Sequence, residues 1–96
     1  MKKGYVYILA DKKDGVIYIG VTSDLLKRIC EHKNKIVDGF TKNLGVHNLV
    51  YYEEYDDNHK AVIREKQMKK WKREWKIRLI EKLNPEWKDL YPDLKN

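Results

Sequence analysis

Two short runs rich in Val, Ile and Tyr open the chain, at residues 5–10 and 16–21, separated by the polar segment Asp11-Lys12-Lys13-Asp14-Gly15. β-Branched and aromatic residues on either side of a polar stretch ending in glycine predict a β-hairpin. Thr22-Ser23-Asp24 then offers helix N-cap chemistry. Leu25, Leu26, Ile29 and Cys30 recur behind it at helical spacing, predicting a helix over about 24–35. After a loop containing Gly39 and Gly45, residues 47–55 read as a third strand with Val50, Tyr51 and Tyr52 at its centre. Asn58 is placed to cap a helical region over about 59–83, with a break near Arg73 because the apolar stripe shifts between Trp71 and Trp75. Asn84-Pro85 stops that region, and the tail around Trp87 and Leu90 is expected to fold back over it. The expected architecture is α+β: a small three-stranded antiparallel sheet flanked by helices, in the order ββαβα with an extra C-terminal helix. Residues 1–96 are the length of one ordinary domain, with no room for a second core.

Strand alternation divides the hairpin into two faces. Val6, Ile8 and Ala10 with Ile17, Ile19 and Val21 make one face wholly aliphatic; Tyr5, Tyr7, Val16, Tyr18 and Gly20 point the other way. With residues 11–14 as the loop, Tyr7 and Tyr18 lie directly opposite each other, beside a glycine that leaves space above the sheet. Either they are ordinary strand tyrosines or, with the aliphatic face complete without them, they are free for chemistry. Arg28 and His32 stand four apart on the first helix and flank its buried stripe. They read as an exposed polar helix face or as a phosphate clamp, since the guanidinium fork stabilises charge on a phosphoryl oxygen. Glu65 falls on a stripe with Ala61, Met68, Lys72 and Trp75. A carboxylate among apolar neighbours needs either an ion-pair partner or a bound cation, and one carboxylate can suffice for a Mg²⁺ ion that keeps waters and phosphate oxygens.

Charge sharpens the picture. The chain carries a net +6, and residues 60–82 hold ten Lys or Arg against three Glu, while the first 59 residues balance to zero. A basic helical region is either a solvated surface or the footprint of a polyanion. Lys42, Lys69 and Lys72 are the candidate phosphate contacts. Trp71, Trp75, Trp87 and Tyr91 are expected to pack between the last helix and the tail; exposed, they would make an adaptor surface or stack on unpaired bases. The single Cys30 excludes an internal disulfide and a cysteine-based zinc knuckle, which suits a reducing, cytoplasmic setting. The N-terminal apolar run ends at Asp11, too early for a signal peptide, and no run approaches the ~20 apolar residues of a membrane span.

Taken together, these residues resemble the GIY-YIG endonuclease family. Tyr5-Val6-Tyr7 stands where that family has Gly-Ile-Tyr, with Tyr5 replacing the glycine, and Tyr18-Ile19-Gly20 matches the second motif outright. Arg28, His32 and Glu65 follow in the family's order. The likeness covers about residues 3–83 and is greatest to small standalone members, relatives of the N-terminal domain of the bacterial excision-repair incision nuclease. It implies hydrolysis of DNA phosphodiesters with one divalent metal, Mg²⁺ or Mn²⁺, in repair, recombination or processing, on DNA that includes branched or damaged forms. Carried over, Tyr7 is the general base or its relay, Tyr18 positions water or phosphate, Arg28 stabilises the phosphate charge with His32 assisting, and Glu65 holds the metal. A protein partner could supply target specificity. The alternative is a non-catalytic nucleic-acid-binding module that keeps the fold.

Overall fold

The computed structural model describes residues 2–34 and 45–95. The elements run β1 (Gly4–Ala10), β2 (Ile17–Thr22), α1 (Leu25–Lys33), β3 (Asn48–Tyr55), α2 (Asn58–Lys69), α3 (Arg73–Leu83) and α4 (Tyr91–Lys95). The strands form one antiparallel sheet in the order β2-β1-β3, so the first strand is central and β2 is an edge. This is the expected α+β architecture. The predicted helical break falls just before Arg73, and Gly39, Lys42 and the far end of the predicted first helix at Lys35 lie outside the described residues.

Both faces of the sheet are covered. On one, Val6, Ile8, Ala10, Ile19 and Val50 pack with Ala61 and Met68 of α2, Ile80 of α3 and Trp87. On the other, Tyr7 and Leu9 pack with Leu25 and Ile29 of α1, Val46 and Leu49, flanked by Leu90, Tyr91 and Leu94. The tyrosine face is therefore a second core, and Tyr7 is 0% exposed instead of free above the sheet. The signal is the unbroken apolar run from Val6 to Ala10: a strand buried on both sides loses its alternation.

Local chemistry places the elements. The Asp24 carboxylate accepts from the Lys27 amide at 3.2 Å and starts α1. Asp57, not the expected Asn58, caps α2 by accepting from the His59 amide at 2.9 Å. The α2 stripe keeps Ala61, Glu65 and Met68 buried, but the turn before α3 turns Lys72 and Trp75 out to solvent. Gly4 is required where α2 crosses the start of β1, because a Cβ there would come within 2.5 Å of the Asn58 Cα.

The tail folds back as expected, and it also passes from one layer to the other. Trp87, at φ 56°, seats in the α2 side of the core and donates its indole N–H to Glu81 at 2.8 Å. Asn84 fixes this turn, donating to the carbonyls of Val50 (3.0 Å) and Lys88 (2.8 Å) while accepting from the Lys88 amide. Three residues beyond Trp87, the Leu90 amide bonds the Leu49 carbonyl at 2.7 Å and Asp89 accepts from the Leu49 amide at 3.0 Å. Leu90 and Leu94 then close the α1 side.

Candidate active site

The β1–β2 register sets the site. Tyr7 pairs with Gly20, and Tyr18 pairs with Leu9, so the two tyrosines are diagonal neighbours and not directly opposed. The connection is longer than the expected four residues: the last ladder pair is Ala10 with Ile17, and residues 11–16 lie between the strands. Just beyond that pair the Asp11 amide bonds the Val16 carbonyl, and its carboxylate accepts from the Val16 amide at 2.8 Å. The two-residue shift preserves which face each side chain occupies.

Its consequence is specific to Gly20. The Tyr7 ring lies across this residue: a Cβ at Gly20 would stand 2.4 Å from the Tyr7 hydroxyl oxygen. The phenol thereby reaches past the sheet to α1, where its oxygen is 3.1 Å from His32 Nε2. Three rings close on one another, with centroids 6.3 Å apart for Tyr7 and Tyr18 and 5.6 Å for each of them to His32. His32 is buried, which its position at the edge of the predicted stripe did not anticipate. The buried positions of α1 are Leu25, Ile29 and His32, whereas Leu26 and Cys30 are exposed. The spacing of four then three that joins those buried positions carries the signal.

Arg28 covers this cluster from the solvent side. Partial burial works against its charge, but the neighbouring Tyr7 phenol and Glu31, 3.3 Å from Nε, favour it, so its pKa is raised. Tyr18, half-buried on the edge strand, is the member nearest solvent apart from Arg28. Tyr5 takes no part; it lines a separate hollow with Leu25, Leu26 and Tyr52.

Glu65 arrives from the opposite layer. It is 9% exposed on α2, and its Oε2 is 2.8 Å from the Lys69 ammonium one turn on. Lys69 and Lys76 share a hollow of about 260 Å³ with Ile17, Tyr18 and Ile19, which connects the carboxylate's partner to the tyrosine cluster around the β2 edge. Lys76, seven residues beyond Lys69, is a basic side chain at the site that sequence reading missed. Lys72 is exposed at the start of α3, away from this hollow's lining. Among the described residues no group of three or more His, Cys, Asp or Glu side chains is placed to hold a metal. A hard divalent ion that takes one carboxylate with waters and phosphate oxygens fits Glu65 if Lys69 yields its place.

The three-stranded sheet thus carries two neighbouring tyrosines on its hairpin, followed along the chain by an arginine–histidine helix and a carboxylate-bearing helix. The family model described as the GIY-YIG catalytic domain matches residues 3–78, and the chain belongs to the GIY-YIG family. It is 39% identical over 80 residues to a UPF0213 protein of Staphylococcus saprophyticus, covering 83% of this chain and 96% of the relative. Identity to a UPF0213 protein of Syntrophus aciditrophicus is 40% over 87 residues, covering 90% and 98%. The fold is similar to the solution NMR structure of a UPF0213 protein from Bacillus halodurans, with a TM-score of 0.56 and 29% identity over 91% of this chain and 92% of that one. These relatives are small standalone members of the family. GIY-YIG domains are nuclease domains, hydrolases of DNA that generally use a divalent metal.

Proposed function

We propose that this chain is a metal-dependent DNA endonuclease acting in repair, recombination or processing, in a cytoplasmic setting, with Tyr7, Tyr18, Arg28, His32 and Glu65 as its catalytic residues. The observation that carries the reading is the Tyr7 phenol laid over Gly20, 3.1 Å from His32 Nε2, with the Arg28 guanidinium beside it. A phenol holds its proton to a pH of about 10 in water, so a basic role needs a proton acceptor and a compensating charge. His32 supplies the first within hydrogen-bond reach, and the Arg28 guanidinium the second.

Tyr18, at the rim, orients the attacking water against the phosphate. The water's proton passes to the Tyr18 phenol, which hands its own inward to Tyr7; Tyr7, wholly buried behind it, in turn gives its phenolic proton to His32 Nε2. Arg28 then meets the negative charge that builds on the phosphoryl oxygens. Glu65 would hold Mg²⁺ or Mn²⁺, which when bound would supply Lewis-acid polarisation of the phosphate and charge for the leaving oxygen. Lys69, Lys76 and Lys72 engage flanking phosphates, so binding weakens steeply with salt. Lys42, outside the described residues, belongs to the same proposal on charge alone.

A second reading, a binding module without catalysis or one that needs a protein partner, draws on Lys69: its ammonium already stands where a cation would neutralise Glu65. Purified protein incubated with branched, single-stranded and supercoiled DNA plus Mg²⁺ or Mn²⁺, beside Glu65→Ala and Arg28→Ala, separates the two. Endonuclease action predicts cleavage that falls roughly 100-fold or more in each variant. Equal cleavage by all three proteins would indicate a contaminating nuclease and leave the binding module ahead.

A further inference from the structure

The α3 surface presents a feature that the catalytic reading does not use. Trp71 and Trp75 stand edge to face with ring centroids 6.1 Å apart, and Trp75 is 51% exposed. With Leu79 they form a hollow of about 340 Å³ rimmed by Arg78 and Lys82. Sequence reading expected these tryptophans to pack under the tail. Trp87 does, but the tail's passage around β3 leaves Trp75 uncovered.

The floor of the hollow is fixed. The Arg64 guanidinium lies 4.9 Å from the centroid of the Trp71 ring, and the same group donates through Nε and Nη2 to the two Glu53 oxygens at 3.0 Å each. Glu53 is in turn held by the Tyr51 and Tyr55 hydroxyls. Trp71 is thus braced against the sheet, while Trp75 offers an open indole face beside it. Exposing a large indole costs free energy unless something covers it. The rim selects what that is: the segment from Trp71 to Lys82 holds five Lys or Arg against two Glu. An aromatic platform bordered by cations suits a flat, apolar base attached to an anionic backbone.

We infer that the Trp71–Trp75 hollow binds an unpaired base of a DNA strand, stacked on Trp75, with Arg78 and Lys82 against the adjoining phosphates. The choice of DNA as the polymer rests on the nuclease reading above. The site favours strands with unpaired or displaced nucleotides over blunt duplex, in which every base face is already stacked.

The test is equilibrium binding of the intact protein, without divalent metal, to three labelled probes: a short oligo(dT), a blunt duplex, and that duplex with one bulged thymidine. Trp75→Ala is expected to lose roughly tenfold affinity for the oligo(dT) and the bulged duplex with blunt-duplex binding unchanged, and Trp75→Phe to retain most of it. Matched thermal melts establish that both variants fold. Equal loss on all three probes, or none, overturns the inference. So does a wild type that sediments as a dimer which Trp75→Ala dissociates, since the face then covers a second copy. Trp75-dependent binding by a protein that cuts no DNA upholds this site and sinks the nuclease reading. Cleavage with binding indifferent to Trp75 does the reverse.

Discussion

The two faces of the sheet each bury a tyrosine-centred polar cluster, and they resolve it in opposite ways. On the α2 face, Glu53 is closed off: Arg64 grips both its oxygens, and the Tyr51 and Tyr55 hydroxyls complete its shell. Burial alone would raise the Glu53 carboxyl, but the guanidinium fork and the two phenols hold it below the usual carboxylate range. Burial and the Glu53 carboxylate push the Tyr51 phenol up, so it stays a donor. On the α1 face, the Tyr7 hydroxyl and His32 Nε2 lie 3.1 Å apart, and the cluster leads outward, past Arg28 and the half-buried Tyr18, to solvent. A closed charge cluster fixes a fold. A buried proton donor and acceptor with an arginine at the mouth can do chemistry.

The largest expected effect breaks the closed cluster. Glu53→Ala leaves Arg64 without its partner and two phenols without an acceptor, and should cost about 3 kcal/mol in urea unfolding. The same cluster gives a pH signature. Because the folded carboxyl sits below its unfolded value, its stabilisation is present above the unfolded pKa of about 4.3 and is lost as pH falls through the folded value. Melting temperature should therefore drop more steeply below pH ~4 in wild type than in Glu53→Gln. Parallel acid profiles would remove Glu53 from its structural role.

Gly20→Ala attacks the open cluster. Its Cβ meets the Tyr7 ring from 2.4 Å, and the ring has Leu25 and Ile29 behind it. A cost of about 2 kcal/mol is expected, with the Tyr7–His32 bond displaced and cleavage lost at temperatures where the variant is folded. Full cleavage by a folded Gly20→Ala protein would mean that the position of Tyr7 does not matter. The smallest effect belongs to Leu26→Ser on the exposed side of α1, which should stay within about 0.5 kcal/mol of wild type although the hydrophobic pattern assigned Leu26 to the core.

Why some of this was legible in the sequence and some was not follows from what sets each feature. Element order, the Asn84 stop and the residues Tyr7, Tyr18, Arg28 and His32 are local or ordered along the chain, and reading them needs only periodicity and motif spacing. The hairpin register depended on one side-chain bond, from Asp11 to the Val16 amide, which no periodicity encodes. The second core depended on α1 and the tail closing over Leu9 and Leu49, contacts made across the chain. Tyr51, Glu53 and Tyr55 alternate onto one face of β3 in plain view. Their meaning appears only when Arg64, eleven residues from Glu53, arrives on α2. The ion pair of Glu65 was one of two alternatives left open, and Lys69 fills it without deciding the metal.

The contrast between the faces can be tested with the same chemical change on each side. Tyr7→Phe and Tyr51→Phe each delete one hydroxyl from a buried ring, and each should lose about 1–2 kcal/mol of stability. Single-turnover cleavage of saturating DNA with Mg²⁺, measured well below both melting points, separates them. The rate is expected to fall roughly 100-fold or more for Tyr7→Phe and to stay unchanged for Tyr51→Phe. A Tyr7→Phe protein that cuts as fast as wild type would contradict that contrast.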